Sequence, residues 1–224
     1  MQSTDFGCIP VQFSASRPQA PVWKLIEFAE RFAACGLLAL VSPLLAVAMI
    51  SITVLSRRSP LIAHRRVGHF GRDIWVLKLR TMWDRAKRSP SPLIERIEVS
   101  PAEIQFSKNG KDPRVTSSFA SLCRRYSIDE LPQLWNVLCG EMSLVGPRPI
   151  TALELETYYG LDAQHTLAIK PGITGLWQVH GRSRLTYTQR RRLDLLLVRK
   201  WSILLYLRIL LSTPARVLAG KDAW

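Results

Sequence analysis

The chain has 224 residues, of which 47% are hydrophobic, and a formal net charge of +14 from 31 Lys and Arg against 17 Asp and Glu. This length and composition fit one folded domain with a packed core and exclude a largely disordered chain. The charge predicts an anionic partner, whether nucleic acid, anionic lipid headgroups or a nucleotide, and does not choose among them. The four cysteines lack zinc-ligand spacing, so we predict free thiols in a reducing compartment.

Residues 1–22 contain no cationic start followed by an apolar core. No cleavable signal peptide is therefore predicted, and we expect a flexible tail. Residues 32–56 follow as 25 positions without a charge. As a helix this run is roughly 37 Å long, against a hydrocarbon core of about 30 Å. It predicts a membrane anchor over residues 23–57 rather than a buried core helix.

Ser42 and Pro43 lie near the middle of this apolar run. Proline removes a backbone hydrogen bond and bends a helix, while a serine hydroxyl can bind the carbonyl that is left free. Basic residues flank both ends of the run, so the positive-inside rule gives no strong asymmetry. From the residues alone, a straight span and a re-entrant helix both remain open.

The segment from His64 to Met82 alternates apolar and basic residues around two glycines, which predicts a short β-hairpin. Lys78 and Arg80 then share one face of a strand. Residues 83–110 are rich in Pro, Ser and charge, and are predicted to form a loop with one short helix near residues 93–99.

The stretch DELPQLWNVLCGEMSLVGPRP begins with two adjacent carboxylates, Asp129 and Glu130. Pro132 fits only the first turn of a helix, which makes Asp129 a natural N-cap, and Gly140 provides the stop. The alternative is that Ser127 caps the helix and Glu130 closes a capping box. A helix N-terminus favours carboxylates and attracts phosphate, so a carboxylate there can attack phosphorus.

The remaining C-terminal part divides into a predicted loop and a predicted helical tail. Residues 170–183, KPGITGLWQVHGRS, are too rich in Pro and Gly for a regular element and are expected to form a shaped loop. Residues 190–224 are strongly helical in pattern, and residues 201–218 combine an apolar face with Arg208 and Arg216. This helix lies either at a membrane interface or against the core, and the pattern leaves both open.

Four motifs behind the apolar segment, KLRTM, KDPRVT, the DELPQLWNVLCGEMSLVGPRP block and KPGITGLWQVHGRS, occur in an order that coincidence does not explain. In these motifs the chain resembles the bacterial sugar transferases, the monotopic phosphoglycosyl transferases, from about Val22 to its C-terminus. It looks most like the short members that initiate exopolysaccharide assembly, because the N-terminal extension of the longer members is absent.

The resemblance implies transfer of a sugar 1-phosphate from a UDP-sugar to undecaprenyl phosphate, with release of UMP. It implies that Asp129 is the nucleophile, forming an aspartyl-phosphate sugar, and that Glu130 helps to hold Mg²⁺. It favours a re-entrant helix broken at Ser42 and Pro43. The implied substrate-binding cations are Lys78, Arg80, Arg114, Arg124 and Arg148.

The resemblance also implies an α+β, mainly helical fold. In it a membrane-embedded re-entrant helix precedes a catalytic domain, residues 58–224, with a short β-hairpin and interfacial amphipathic helices. The expected location is the bacterial inner membrane, with the catalytic domain on the cytoplasmic face. The expected partners are membrane lipids, the donor, the acceptor and downstream glycosyltransferases.

Elementary chemistry supports these assignments independently of the resemblance. An anion that attacks a pyrophosphate is repelled by the phosphate oxygens, so a divalent cation and several Arg or Lys side chains are required. The alternative function is a membrane-tethered basic protein that binds anionic lipid or nucleic acid without catalysis. Nucleic-acid binding is not favoured, because the basic clusters contain neither aromatic platforms nor a recognition helix.

The chain departs from the family pattern near its C-terminus. Leu197 stands where the pattern has a tyrosine, and Tyr206 stands where it has an acidic residue, whereas Asp194 and the Trp201-Ser202 pair are retained. The glycine that usually follows the D-P-R-V-T motif is also missing. These departures put acceptor handling or docking of the tail in question and leave the catalytic block whole.

Overall fold

The computed structural model describes residues 21–83, 93–98, 115, 117–181 and 184–219. Residues 1–20 of the predicted flexible tail and most of the predicted loop over residues 83–110 lie outside these ranges. The described chain is mainly helical with two small sheets, which confirms the α+β class.

The first helix, α1, covers Pro21–Ser56 and contains Pro43. It is long and apolar enough, over Val22–Ser56, to cross a membrane. The Ser42 hydroxyl donates a hydrogen bond of 2.8 Å to the carbonyl of Ala39. In a regular helix that carbonyl would accept from the residue four positions later, which is Pro43 and has no N–H. The serine therefore provides the hydrogen bond that the proline removes, as predicted.

One stripe of α1 packs on the rest of the chain over nearly the whole helix. Its buried positions follow helical spacing from Glu30 and Ala34 to Leu45, Ala48 and Ile52. The opposite face is exposed and apolar, with Phe32 at 77% and Leu40 at 75% exposure. The helix therefore lies along the rest of the described chain and presents an exposed apolar face on its other side.

A three-stranded sheet follows in the order β2-β1-β3. Strands β1 (Leu61–Val67) and β2 (Asp73–Leu79) are antiparallel and are joined by a 3₁₀ turn, His69–Gly71. The predicted hairpin is thus confirmed. Strand β3 (Ile94–Ile97) pairs parallel to β1, so the predicted short helix near residues 93–99 is wrong. Residues 94–97 are extended because the free edge of β1 offers them backbone hydrogen-bond partners, and the local sequence does not reveal this pairing.

The middle of the chain forms short helices. Helix α2 (Ser118–Arg125) begins at Ser117, whose hydroxyl accepts from the backbone N–H of Ala120. A 3₁₀ turn (Ile128–Glu130) and helix α3 (Gln133–Leu138) come next. Gly140, with φ of 78°, lies just beyond α3, which confirms the predicted stop.

Both predictions for the cap near the acidic pair are wrong. The N-cap of α3 is Pro132, without a side-chain cap, and Asp129 lies in the preceding 3₁₀ turn. Ser127 has a left-handed backbone with φ of 53° and makes no cap hydrogen bond with its side chain, so no capping box forms. The carboxylate of Asp129 is therefore not used to cap a helix.

A second, two-stranded parallel sheet pairs β4 (Ser143–Val145) with β5 (Gly172–Thr174). Between these strands lie α4 (Ala152–Glu154), a π-helical turn (Leu155–Tyr159), a 3₁₀ turn (Gly160–Asp162) and α5 (Ala163–Leu167).

The predicted irregular loop over residues 170–183 contains β5 and a short helix, α6 (Leu176–His180), so that prediction is wrong. A Cβ on Gly172 would overlap the backbone of Gly146. The glycines therefore allow two backbones to approach and do not mark disorder.

Two helices close the fold, α7 (Tyr187–Arg199) and α8 (Ile203–Ala219), which confirms the predicted helical tail. Tyr206 and Ile209 of α8 are buried in a cluster with Val145 and Leu197. Leu204 and Leu211, on the opposite face, are 79% and 77% exposed. Helix α8 thus packs on the core with one face and presents an apolar face outward.

Candidate active site

Asp129 is half-buried in the 3₁₀ turn between α2 and α3. Burial and the adjacent Glu130 raise the pKa of Asp129 to about 6, whereas the charges of Lys78 and Arg124 act to lower it. Near neutral pH this carboxylate is mostly ionised and remains basic for a carboxylate. An anion with these properties is suited to act as a nucleophile.

Glu130 and Lys78 form an ion pair at 2.8 Å between the carboxylate and the ammonium group. Lys78 lies on β2, so the hairpin delivers this cation to the acidic turn. Arg124, at the end of α2, has a buried Nε without a hydrogen-bond partner. Opposite charges from two elements therefore meet at the Asp129-Glu130 turn.

A small open cleft adjoins this turn. Its lining residues are Arg66, Val76, Lys78, Glu130, Gln133, Arg148, Pro149, Gly172, Ile173, Trp177 and Gln178. Both sheets, α3, α6 and the Pro-Arg-Pro loop thus contribute to one cleft. Its charged lining groups are Glu130 and three cations, which suits a ligand with several negative charges.

The cations around the cleft also affect a histidine on β1. Burial and the charges of Arg66, Lys78 and Arg80 lower the pKa of His64 to about 3. His64 is therefore neutral at physiological pH, and no role was predicted for it.

Arg148 is fixed between two prolines in the loop that follows β4. Its guanidinium lies 5.3 Å from the ring centroid of Trp177, and the guanidinium of Arg190 lies 5.0 Å from the same centroid. The Nε atoms of both arginines are buried without hydrogen-bond partners. In the described part of the chain neither arginine has an ion-pair partner, so Arg148 is available to an anionic ligand.

Behind this loop, α7 places the fully buried carboxylate of Asp194. The Tyr159 hydroxyl donates to it at 3.0 Å. Burial raises the pKa of Asp194 to about 7, while the Tyr159 hydrogen bond, the backbone of Arg148 and the charges of Arg148 and Arg190 act to lower it. Asp194 therefore supports the Pro-Arg-Pro loop from inside the molecule.

The structure brings Lys78, Glu130 and Arg148 together in the cleft, with Asp129 next to them and Arg124 close enough to affect its pKa. Arg80 has a different environment. It is buried, its Nε donates to the carbonyl of Ser59, and its guanidinium pairs with Glu95 of β3 at 2.6 Å. It is not among the cleft-lining residues of the described chain. Arg114 lies outside the described residues.

Several cleft residues were not predicted. Arg66 could have been found, because the hairpin register places Ile62 opposite Lys78 and thus Arg66 on the same face as Lys78. Trp177 and Gln178 carry no such signal. They reach the cleft only because β5 pairs with β4, and that pairing joins segments far apart in the chain.

The acidic turn is compatible with Mg²⁺. No cluster of three or more possible ligand side chains occurs among the described residues, but Mg²⁺ in phosphate chemistry commonly uses one or two carboxylates together with substrate phosphates. Asp129 and Glu130 provide that donor set. The charge of Glu130 raises the pKa of Asp129, and a divalent cation on Glu130 would offset this repulsion.

Residues 23–220 match the bacterial sugar transferase family. The chain belongs to this family of transferases. The match covers every described element that forms the cleft and extends to the end of α8.

Named relatives agree with this membership. The chain is 37% identical over 220 residues to the exopolysaccharide production protein ExoY of Sinorhizobium fredii, covering 96% of this chain and 94% of that protein. It is 41% identical over 192 residues, 84% of the chain, to the UDP-galactose-lipid carrier transferase of Erwinia amylovora. It is 40% identical over 162 residues, 72% of the chain, to the undecaprenyl-phosphate galactose phosphotransferase of Salmonella typhimurium. The chain spans 40% and 34% of the lengths of these last two relatives.

Proposed function

We propose that this protein transfers a sugar 1-phosphate from a UDP-sugar to undecaprenyl phosphate and releases UMP. The relatives are named for a UDP-sugar, for undecaprenyl phosphate and for exopolysaccharide production, which supports initiation of an exopolysaccharide or related glycan. The observation that carries the proposal is the Asp129-Glu130 turn beside a cleft that contains Lys78 and Arg148.

The first displacement uses Asp129. Its carboxylate oxygen attacks the phosphorus that bears the sugar, the bond from that phosphorus to the bridging oxygen breaks, and UMP leaves with the electron pair. In the second displacement, an oxygen of the acceptor phosphate attacks the same phosphorus and regenerates the carboxylate. One phosphoanhydride is consumed and one is formed, so no further energy source is required.

The other charged residues of the site would neutralise the negative charge of the phosphate groups. Lys78, Arg66 and Arg148 line the cleft and are placed to bind phosphate oxygens as negative charge moves to the leaving group. Glu130 would hold Mg²⁺, together with Asp129 or the substrate, and the bound ion would neutralise phosphate charge. Lys78, now paired with Glu130, would then be released to bind phosphate.

The proposed location is the inner membrane, with the catalytic domain on the cytoplasmic side. Helix α1 packs along the domain from Ile26 to Ile52. A straight crossing would pull that domain, with its charged residues, into the hydrocarbon core, and this would be expensive. The packing therefore supports a helix that enters and leaves on one side, with Ser42 satisfying the backbone at Pro43.

The proposal is tested by incubating the purified full chain in lipid nanodiscs with a panel of UDP-sugars and Mg²⁺. We expect UMP release with at least one donor, and sugar phosphate appearing on undecaprenyl phosphate when it is added. Asp129→Asn should abolish both. Asp73→Asn, at an exposed ion pair on the hairpin, is the matched control and should retain activity. No UMP from any donor, or full activity in Asp129→Asn, would overturn the proposal.

A further inference from the structure

Glu30, on α1, is a buried carboxylate with three donors on one oxygen. It is 5% exposed. Its Oε1 accepts from the Ser143 hydroxyl, from the backbone N–H of Leu144 at 2.9 Å, and from the Tyr206 hydroxyl at 2.7 Å. The membrane helix, β4 and α8 therefore meet at a single atom.

The contact with Leu144 acts on the backbone of β4. Ser143 and Val145 face β5, with which they pair, so the N–H of Leu144 points to the other side of the strand. That side has no neighbouring strand among the described residues, and Glu30 supplies the missing acceptor. The helix thus provides the hydrogen bond that a further strand would make.

Strand β4 leads directly into the Pro-Arg-Pro loop that contains Arg148. Arg148 follows Leu144 by four residues, through Gly146 and Pro147. Gly146 and Gly172 are packed so closely that a Cβ on either would overlap the backbone of the other strand. A shift of β4 therefore moves Arg148 and also disturbs Gly172 and Ile173, which line the cleft.

We propose that Glu30 is a positioning residue through which the docked membrane helix places the Arg148 loop for donor binding. This inference rests on the proposed function. If so, the anchor helix has two roles, because it holds the protein at the lipid and also positions one loop of the cleft. Arg148 contacts the substrate, and Glu30 acts through it.

Tyr206 fits this arrangement. A carboxylate at position 206, as in the family pattern, would face the carboxylate of Glu30, whereas a phenol donates to it. Leu197, the other departure from that pattern, is buried in the same apolar cluster as Tyr206. The two departures therefore lie together and agree with tail docking onto Glu30.

The activity test compares Glu30→Ala, Glu30→Gln and the control Glu27→Gln in full-length protein in nanodiscs, with UMP release as the readout. Glu27 lies one turn away and makes a partly exposed ion pair with Lys170, so we expect less than about a twofold effect. Glu30→Ala leaves buried donors unpaired, and we expect kcat/KM for the UDP-sugar to fall by about 10- to 100-fold. Glu30→Gln keeps an acceptor oxygen and should retain more activity than Glu30→Ala.

A double-mutant cycle separates positioning from simple loss of stability. If Glu30 acts through Arg148, Glu30→Ala should cost much less in an Arg148→Lys background than in the wild type. Equal losses in both backgrounds would overturn the inference while leaving the proposed function intact. Tyr206→Asp would place a second carboxylate against Glu30 and should lower activity. Adding Glu30→Gln to this variant should restore part of the lost activity.

Hydrogen exchange supplies a readout that does not need activity. In Glu30→Ala, amides of residues 143–148 should exchange faster, while those of α2 should not change. Unchanged exchange at residues 143–148 would also overturn the inference, even if no UDP-sugar proves to be a substrate. In that case the absence of UMP release from the wild type would refute the proposed function separately.

Discussion

Arg148 and Arg80 show how two arginines with similar sequence signals come to lie in different environments. Both were predicted to bind substrate, but Arg80 is buried with Glu95 and the Ser59 carbonyl as partners, whereas the Arg148 guanidinium has Trp177 as its neighbour at the cleft. Pairing of β3 with β1 brings Glu95 to Arg80. A local motif cannot report that neighbour.

Lysine at these two positions should therefore have different effects. Arg148→Lys should lower kcat/KM for the donor by roughly 10- to 100-fold, because hydrogen bonds to charged groups contribute about 1.5–3 kcal/mol. Arg80→Lys should mainly lower the melting temperature, since it disturbs the hydrogen bonds of a buried guanidinium to Glu95 and the Ser59 carbonyl. Steady-state kinetics and thermal melts of both variants check this. A larger kinetic loss for Arg80→Lys than for Arg148→Lys would contradict it.

The raised pKa of Asp194 predicts that the stability of the fold depends on pH. Its pKa rises from an ordinary value of 3.8 to about 7 in the fold, where it faces Tyr159, Arg148 and Arg190. Between these pH values the folded state holds a proton that the unfolded chain releases, so the contribution of Asp194 to stability is lost as pH rises through about 7.

In Asp194→Asn this dependence should disappear. The difference in free energy of unfolding between wild type and variant should favour the wild type most near pH 4 and shrink toward pH 8. Denaturant melts across this range measure it. A difference that is constant with pH would show that Asp194 has no raised pKa.

At the scale of elements, α1 combines a docked stripe with an exposed apolar face, and Ser42 repairs the backbone at Pro43. If the helix re-enters, single cysteines at Gln19 and Arg72, in a background without native thiols, should both be protected from an impermeant reagent outside intact cells. Labelling of the Gln19 site alone would show a straight span.

Replacing Ser42 and Pro43 together by leucine should restore a regular helix. We expect the Gln19 site to become accessible from outside in this variant, and activity to fall as docking of α1 is lost. Replacing Ser51 by leucine in the same helix is the matched control and should leave the labelling unchanged. Continued protection of the Gln19 site in the double variant would show that Ser42 and Pro43 do not set the topology.

Helices and strands that depend on a local sequence pattern could be predicted. Strands that form only by pairing with a distant segment of the chain could not. The hairpin, the stop at Gly140 and the helical tail depend on alternation, glycine conformation and helical periodicity. Strands β3 and β5 exist because β1 and β4 offer edges to them. The same limit applies to the site. Asp129 and Glu130 of the candidate site were singled out by their adjacency in the sequence, whereas the positions of Trp177 and Gln178 in the cleft depend on β5.

For the molecule as a whole, α1 and α8 both present exposed apolar faces, as membrane-facing surfaces do. In the proposed reaction the donor is soluble and the acceptor is a lipid, so we expect these faces to affect the two displacements differently. Leu211→Glu should leave UMP release from the donor within about twofold and should slow transfer to undecaprenyl phosphate about tenfold or more, since burial of a leucine contributes about 1.5–3 kcal/mol.

Thr188→Glu adds the same group at an exposed position of α7 and is the matched control. It should slow neither displacement by more than about twofold, because a surface substitution of this kind typically changes energies by at most ~0.5 kcal/mol. Equal loss of both displacements in Leu211→Glu would point to damage of the fold instead of the membrane contact.

In the proposed mechanism, Asp129 carries the phospho-sugar between the two displacements. The most direct measurement is mass spectrometry of peptides from full-length protein that has been quenched after incubation with UDP-sugar and Mg²⁺, without acceptor. We predict an increase in mass equal to one sugar phosphate on the peptide that contains Asp129, lost when undecaprenyl phosphate is added and absent in Asp129→Asn. An adduct on another residue, or turnover to lipid product with no adduct on any peptide, would contradict the account.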